Sequence, residues 1–374
     1  MIEITRASIG AAADRMLEAA LLGDGWTAAL SGFADVAGAH GAVLVGELTR
    51  PDDPWAEVKM TIVPTPSIAQ HIAEYLAGRI PPDPRISRVR PSRTGGFLTD
   101  FGSFSPEEIA RDPYYVEYLR PLGLGWHACA FLADWSSHDS LYLNLKRRYR
   151  DGHYEPYDIL TIDGALPTLR TAVKIAHMRL DAQTRGYAQG LGAGGEAIFE
   201  LDALGNATPV NDAAARLLGG DLVLEHRCLT ARHADNRRRL ERAIGAALAR
   251  PACTGFAVLV TGQAARRLVV RTVPVPGVAR AAFGAAIALV VVDTWRQPEA
   301  PSPHFVRALR QAFDLTRMEA HVASLVAAGV SPMRVAGILG IAEGTARNHL
   351  KSAMAKIGVN RQAELAALTA QLKG

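Results

Sequence analysis

The sequence predicts an α+β multidomain chain: two α/β domains in succession, then a small all-α domain at the C-terminal end. Three observations carry this. Apolar runs of strand length alternate with amphipathic helical stretches from about residue 8 to residue 297. A glycine-rich break at 190–195 and a proline-containing one at 298–303 divide the chain. Beyond the second break the apolar periodicity is helical only, and nine Lys/Arg face four Asp/Glu in a chain whose net charge is +4. The rest of the chain is therefore near neutral. Positive charge gathered in one small module is an electrostatic footprint for nucleic acid.

The 374 residues leave room for two or three domains. Cys129, Cys228 and Cys253 are isolated, with no CxxC pair and no Cys/His ligand spacing. They read as buried, reduced thiols of a cytosolic protein, with redox sensing as the alternative. No charged segment followed by an apolar run and a cleavage site opens the chain, and no apolar run approaches a membrane span. The most apolar stretch, 287–292, is strand-length. A cytoplasmic location without membrane contact is expected.

The first domain, 8–162, opens with amphipathic helices over 8–22 and from Gly25-Trp26, where Trp26, Leu30, Phe33 and Val36 face inward. A buried strand is expected at 42–48, a turn at 50–54 and a returning strand at 55–63. Ser67 caps a helix with Ile68, Ile72 and Leu76 on one face, which Pro81, Pro82 and Pro84 end. A tyrosine-rich helix follows over 106–119, with Glu107 and Glu108 suited to its N-terminus. Segments 126–135 and 141–148 read as a hairpin. Helices flanking a central sheet make this domain GAF-like. Arg79, Arg85, Arg88, Arg90 and Arg93 read as a solvated face or as an attractor for an anionic ligand such as a carboxylate. Lys146, Arg147, Arg148 and Arg150 read as decoration of a strand end.

Residues 163–190 form a connecting helix. Leu166, Leu169, Val173, Ala176 and Leu180 alternate three and four apart, the seam of a signalling and dimerisation helix; an ordinary helix docked on its own domain is the other reading. Pro167 is expected to kink it. The second domain, 191–297, has a strand at 197–201 and a turn at 204–206. Val-Asn-Asp-Ala-Ala at 210–214 resembles the Asn-x-Ala-Ala entry to the first helix of PAS domains. A helix over 235–248 and strands at 256–261, 268–275 and 286–293 complete a PAS-like order. No cysteine sits where a flavin-adduct domain needs one, and His226 and His233 read as surface residues rather than haem ligands. No tightly bound cofactor and no metal are expected.

The last domain, 304–374, has the clearest local signals. Thr316 and Glu319 form a capping box, and Ser331-Pro332 is a second helix start. Gly340 breaks that helix. A third helix over 343–357 buries Ala346, Leu350, Ala353, Met354 and Ile357 and presents Gly344, Arg347, Asn348 and Lys351 on its other face. Two short helices, a glycine turn and a helix with a cationic face describe a helix-turn-helix. Leu315, Thr316, Glu319, Gly329, Ser331, Val335, Ala336, Leu339, Thr345, Arg347, His349, Lys356 and Ile357 stand in order and without insertion. This stretch resembles the C-terminal DNA-binding domain of the LuxR/NarL/FixJ family. Arg334 departs from the family's Glu, and Ala342 from the Ser ahead of the recognition helix. Loss of such a cap costs about 0.5–2 kcal/mol.

The resemblance implies double-stranded DNA as a partner, with Arg347, Asn348 and Lys351 facing bases and Thr345, His349 and Lys356 facing the backbone. It also implies a homodimer, a small-molecule effector and RNA polymerase as a further candidate partner. In the first domain His71, Tyr75 and Asp83-Pro84 loosely resemble the Trp-x-x-x-Tyr and Asp-Pro of acyl-homoserine-lactone receptors, with His71 in place of Trp. That implies a pocket in which Tyr75 and Asp83 orient a ligand while Phe97 and Trp126 close an apolar cavity. The alternative is a core tyrosine and a proline turn. A ligand-sensing transcription regulator is the expected function; regulation through a protein partner at the N-terminal domains is the alternative. No P-loop, GxSxG or HExxH motif appears, so no enzyme is expected.

Overall fold

The computed structural model describes residues 3–48, 59–78, 81, 83–88, 95–136, 139–249, 251–262, 266–277, 280–296 and 303–371. The turn expected at 50–54, the start of the strand at 55, Pro82, the arginines at 79, 90 and 93, and linker residues 298–302 lie outside them. Two compact units result: residues 1–259 with 269–293, and residues 260–268 with 294–374.

The first unit begins with α1 (Arg6–Leu22) and α2 (Trp26–Val36). Thr5 caps α1 by accepting the Ser8 N–H, and Gly23, at φ 85°, ends it in the left-handed conformation that glycine tolerates. Then come β1 (Gly41–Leu48), β2 (Lys59–Pro64), α3 (Ala69–Leu76), α4 (Arg85–Arg88) and a short β3 (Leu98–Thr99). After these stand α5 (Pro106–Arg111), β4 (Leu124–Ser136), β5 (Asp139–Arg148), α6 (Pro156–Asp163) and α7 (Leu166–Leu191). The sheet is antiparallel, in the order β2-β1-β5-β4-β3.

Strand alternation divides this domain in two. Leu141, Leu143 and Leu145 of β5 are fully buried with Ala12, Met16, Leu30, Phe33, Leu169 and Val173 in one core between the sheet and α1, α2 and α7. Tyr142, Asn144 and Lys146, the intervening residues, point to the other face, which lies under α3, α4 and the segment after α5.

Several expectations change here. The helix expected over 106–119 is two pieces: α5 is closed by Asp112-Pro113, and Tyr114–Leu119 form a π-helical turn, because Pro113 has no N–H to continue the ladder. Leu76 is 53% exposed, so the apolar face of α3 stops at Ile72. Pro167 lies in the first turn of α7, where its missing N–H leaves no bond unmade, and causes no kink. The α7 stripe of Leu166, Leu169, Val173, Ala176 and Leu180 is buried in this chain's own core, with α7 packed along α1; the docked-helix reading holds and the stripe is not open to a partner. Of the cysteines only Cys129 is buried; Cys253 is exposed.

The second domain carries β6 (Ala197–Leu201), β7 (Ala207–Pro209), α8 (Asp212–Leu217), the hairpin β8 (Leu222–Glu225) and β9 (Cys228–Ala231), and α9 (Ala234–Leu248). It ends with β10 (Gly255–Val260), β11 (Arg266–Pro274) and β12 (Ala288–Arg296). Asn211 caps α8 by accepting the Ala214 N–H. Sheet order is β10-β11-β12-β6-β7. Counting only the five strands of each sheet, and reading the second from β7, each sheet runs second, first, fifth, fourth, third.

The loop between β11 and β12 leaves its own domain. Ala282, Phe283 and Ala285 are buried in the core of the first domain. The Trp135 indole donates to Ala282 O at 3.1 Å, His177 Nδ1 lies 2.7 Å from Phe283 O, and Trp26 packs on Phe283 at 4.7 Å between centroids. Arg280, 1% exposed, donates to Leu180 O and to Thr184 Oγ1 on α7.

Among the described residues the second unit holds five helices: α10 (Pro303–Phe313), α11 (Arg317–Ala327), α12 (Pro332–Leu339), α13 (Glu343–Ile357) and α14 (Gln362–Gln371). The Thr316/Glu319 capping box forms, Ser331 caps α12, and Gly340 and Gly358 end α12 and α13 at φ 66° and 81°. Ala342 gives α13 no side-chain cap. Leu365 of α14 is fully buried in this domain's core, so it is a packing residue rather than part of an open pairing surface.

Candidate functional site

The face of the first sheet away from the main core is roofed by α3, α4 and the π-helical turn, and between them lies a cavity of about 100 Å³. His71, Tyr75 and Asp83 line it, as do Val43, Val45, Glu47, Ile62, Ile72, Arg85, Tyr114, His127, Asn144 and Lys146. Phe97 and Trp126 do not. Phe97 is buried in the main core, its N–H donating to Asp163 Oδ1 at 2.7 Å. Trp126 stacks on Tyr149 and donates its indole N–H to Tyr149 O at 3.2 Å.

Asp83 is not free. Its two oxygens take two parallel bonds of 2.8 Å from Arg85 Nε and Nη2, the fork-to-carboxylate pairing that guanidinium geometry favours. Arg85 is 3% exposed. It donates to Tyr114 Oη at 2.6 Å and lies over the Tyr114 ring. The Arg85 face expected in solvent is thus a buried anchor; Arg88, by contrast, makes a half-exposed pair with Glu108. Deeper still, Asp100 accepts the Tyr115 hydroxyl at 2.5 Å and the His127 N–H at 2.7 Å. Burial alone would raise both carboxyls. The Arg85 charge and its bonds more than offset that at Asp83, which is held well below the usual range, and His127 with Arg85 does so at Asp100, which is lowered.

His71 Nδ1 lies 2.9 Å from the Tyr118 hydroxyl. Burial, with help from the Lys146 and Arg85 charges, lowers the ring to about 4, so it is neutral at pH 7. Lys146 is 8% exposed, and desolvation lowers its ammonium to about 8. Among the described residues neither the Lys146 ammonium, the Tyr75 hydroxyl nor the Asn144 amide has a hydrogen-bond partner. Lys146 and Arg147, read from sequence as strand-end decoration, are both buried, Arg147 against Asp158 and the Tyr154 ring. The signal that would have found Lys146 is its two-residue spacing from Tyr142 and Asn144.

In the second unit, Thr345, Arg347, Asn348 and Lys351 are exposed on α13 and His349 is half-buried. Arg347 reaches back to Glu343 at 2.7 Å, an exposed i,i+4 pair worth at most a few tenths of a kcal/mol, roughly. Lys356 is differently placed. Its ammonium sits 2.7 Å from Glu319 Oε2, and Ser352 donates to Glu319 Oε1 at 2.6 Å. These bonds, Lys356 foremost, lower the Glu319 carboxyl to about 2. Its contribution to stability is present above pH 4.5 and lost as pH falls from there towards 2. Lys356 thus pins α13 to α11 as well as standing near the exposed face. Lys356→Met is expected to lower both the melting temperature and the DNA affinity, whereas Arg347→Ala is expected to leave melting unchanged. Thermal denaturation of both variants checks this; equal melting would remove the structural role of Lys356.

Residues 314–369 match the family model for bacterial regulatory proteins of the luxR family. Over these residues the C-terminal domain is similar to that family. No curated protein matches the chain. Among solved structures, CepR2 from Burkholderia cenocepacia, an N-acylhomoserine-lactone-dependent LuxR-family transcription factor, is 15% identical, with 45% of this chain and 93% of that one covered and a TM-score of 0.31. SdiA from Escherichia coli is 12% identical, with 98% and 95% covered and a TM-score of 0.30. The phage VqmA–DPO complex is 17% identical, with 52% and 88% covered and a TM-score of 0.22. Scores this low carry no argument about the fold or ligand of the N-terminal domains. Among the described residues no helix is long and apolar enough to cross a membrane, and no three His, Cys, Asp or Glu side chains cluster as a metal site.

Proposed function

We propose that this chain is a transcription regulator that binds double-stranded DNA through α13 and a small organic molecule in the first-domain cavity. The observation that carries it is the presence, in one chain with a region similar to the luxR family, of a roofed cavity where Tyr75, Asn144 and Lys146 lack hydrogen-bond partners among the described residues. Apolar walls with a few convergent polar groups are what ligand pockets share. The five-stranded sheet flanked by helices supports a GAF-like reading of the first domain, and the second sheet with its Asn211-capped helix a PAS-like one. Tyr75 is retained as a ligand contact; Asp83 is assigned instead to holding Arg85.

Ligand binding acts on DNA by favouring one geometry of a homodimer and so setting the separation of two recognition helices. The interface of that dimer excludes the α7 stripe and Leu365, which the chain buries itself. Arg347, Asn348 and Lys351 read base edges, and Thr345, His349 and Lys356 contact the backbone. Selection of random duplexes by the purified chain, then anisotropy titrations across several salt concentrations, tests this. Arg347→Ala is expected to cost about 1–3 kcal/mol on the selected site and to relax preference at one base step. Unchanged affinity for Arg347→Ala and Lys351→Ala alike would remove α13 as the DNA reader.

A further inference from the structure

We propose that the first-domain cavity takes an organic anion, a carboxylate on a small apolar body, with the Lys146 ammonium as its counter-ion. The inference rests on the ligand-sensing reading above and names the kind of ligand.

Asp83 uses both oxygens on Arg85, and Asp100 accepts from Tyr115 and His127. Neither carboxylate lies within ion-pair distance of Lys146, and neither is placed to accept an N–H from a ligand. The buried acids are therefore satisfied, whereas among the described residues the Lys146 ammonium has no partner, and Arg85 Nη1 and His127 Nδ1 on the same wall have none either. An ammonium taken out of water without a partner is strongly disfavoured. Lys146 nonetheless sits 8% exposed on the wall of a space large enough to admit a molecule. An incoming carboxylate supplies the missing charge.

The surroundings complete a site for its two oxygens. Asn144 precedes Lys146 by two residues on the same strand face, and Tyr75 lines the cavity from α3. The Asn144 amide and the Tyr75 hydroxyl both have a free donor, and neither has a partner among the described residues. The ring of His71, neutral at pH 7, is occupied by Tyr118 and adds no competing charge. Val43, Val45, Ile62 and Ile72 form the apolar remainder of the wall. Glu47 also borders the cavity but has a partner of its own. The volume of about 100 Å³, below the roughly 150 Å³ that holds a benzene ring, favours the smallest acids.

Calorimetric titration of the full chain at pH 7 with butanoate, benzoate and phenylacetate, each beside its primary amide, tests the assignment. At least one acid is expected to bind at least about tenfold more tightly than its amide. Lys146→Met is expected to weaken that acid about ten- to a hundredfold, the range of one charge-assisted hydrogen bond, while Lys146→Arg retains most of the affinity. Circular dichroism of both variants guards against misfolding, and Val45→Trp, which fills the cavity without touching Lys146, is expected to abolish acid binding independently. Equal binding of acid and amide, or an acid affinity indifferent to Lys146→Met, would overturn the anion while leaving the pocket intact. Binding of neither acid nor amide would overturn the ligand-sensing reading with it.

Discussion

Arg85→Met is expected to destabilise the first domain by about 3–5 kcal/mol, the range found when one member of a buried ion pair is removed. Arg85 is the hub of a network out of water: it holds both oxygens of Asp83, donates to Tyr114, and lies 3.9 Å from Asp100. Without it two carboxylates remain buried with no cation in contact. Methionine preserves most of the side-chain volume, so the loss reads the charge. Urea denaturation of wild type, Arg85→Met and Arg85→Met/Asp83→Asn checks it, the double variant recovering part of the deficit. A loss below about 1 kcal/mol would mean that water entering the cavity solvates both acids. The linked pH effect has a definite sign. The Asp83 carboxyl is held below its ordinary 3.8, so the contribution is complete above that pH and fades only as pH falls below it.

Lys146→Met is expected to do the opposite and stabilise the domain by about 3 kcal/mol, or several degrees in melting temperature. Desolvation takes the Lys146 ammonium from 10.5 to about 8, so at neutral pH the fold carries a charge it disfavours. Between about pH 8 and 10.5 the unfolded chain binds more protons than the folded one, and wild-type stability therefore rises with pH across that window. The variant is expected to lack the slope. Melting curves from pH 7 to 10.5 check both the offset and the slope. A variant that melts at or below wild type would show that the ammonium already has adequate solvation. Stability gained where binding is lost is a common mark of a functional residue.

How far the sequence was legible depended on whether local signals acted alone. The C-terminal helices were readable to within a residue or two, because Thr316/Glu319, Ser331-Pro332, Gly340 and Gly358 each act on the adjacent backbone. The 106–119 segment reads as one tyrosine-rich helix, but Pro113 interrupts its hydrogen-bond ladder. The β8–β9 hairpin turns through His226 and Arg227 at φ 48° and 65°, a conformation normally announced by Asn-Gly, and so left no signal. The strand pattern of Leu141 to Arg148 was correct, yet the meaning of its polar face was hidden. Alternation reports which side chains share a face, not whether segments distant in sequence cover that face. Tyr142, Asn144 and Lys146 look like a solvated edge until α3, α4 and Tyr114 are placed over them. The α7 stripe shows the same ambiguity: spacing of three and four describes a surface that wants burial, without naming what buries it. Tyr75 and Asp83 both line the cavity, but the claim of Arg85 on Asp83 is visible only in three dimensions.

The loop at 280–286 bears on how this protein can be taken apart. Its Ala282 and Phe283 complete a core built otherwise from residues before Leu191, and Arg280 ties it to the backbone of α7. The closeness is tight enough that a Cβ on Gly284 would meet the Trp135 ring at 2.4 Å, and one on Gly46 would stand 3.2 Å from Ala282 Cα. The two sheet domains are therefore not interchangeable cassettes joined by a tether. A fragment cut in the 190–195 break would leave Trp26, Trp135 and His177 around an open hole, and a foreign second domain grafted there would have to bring its own stopper of the same shape. The transplantable piece is the pair, and the strand that borders the cavity on one side touches that stopper on the other.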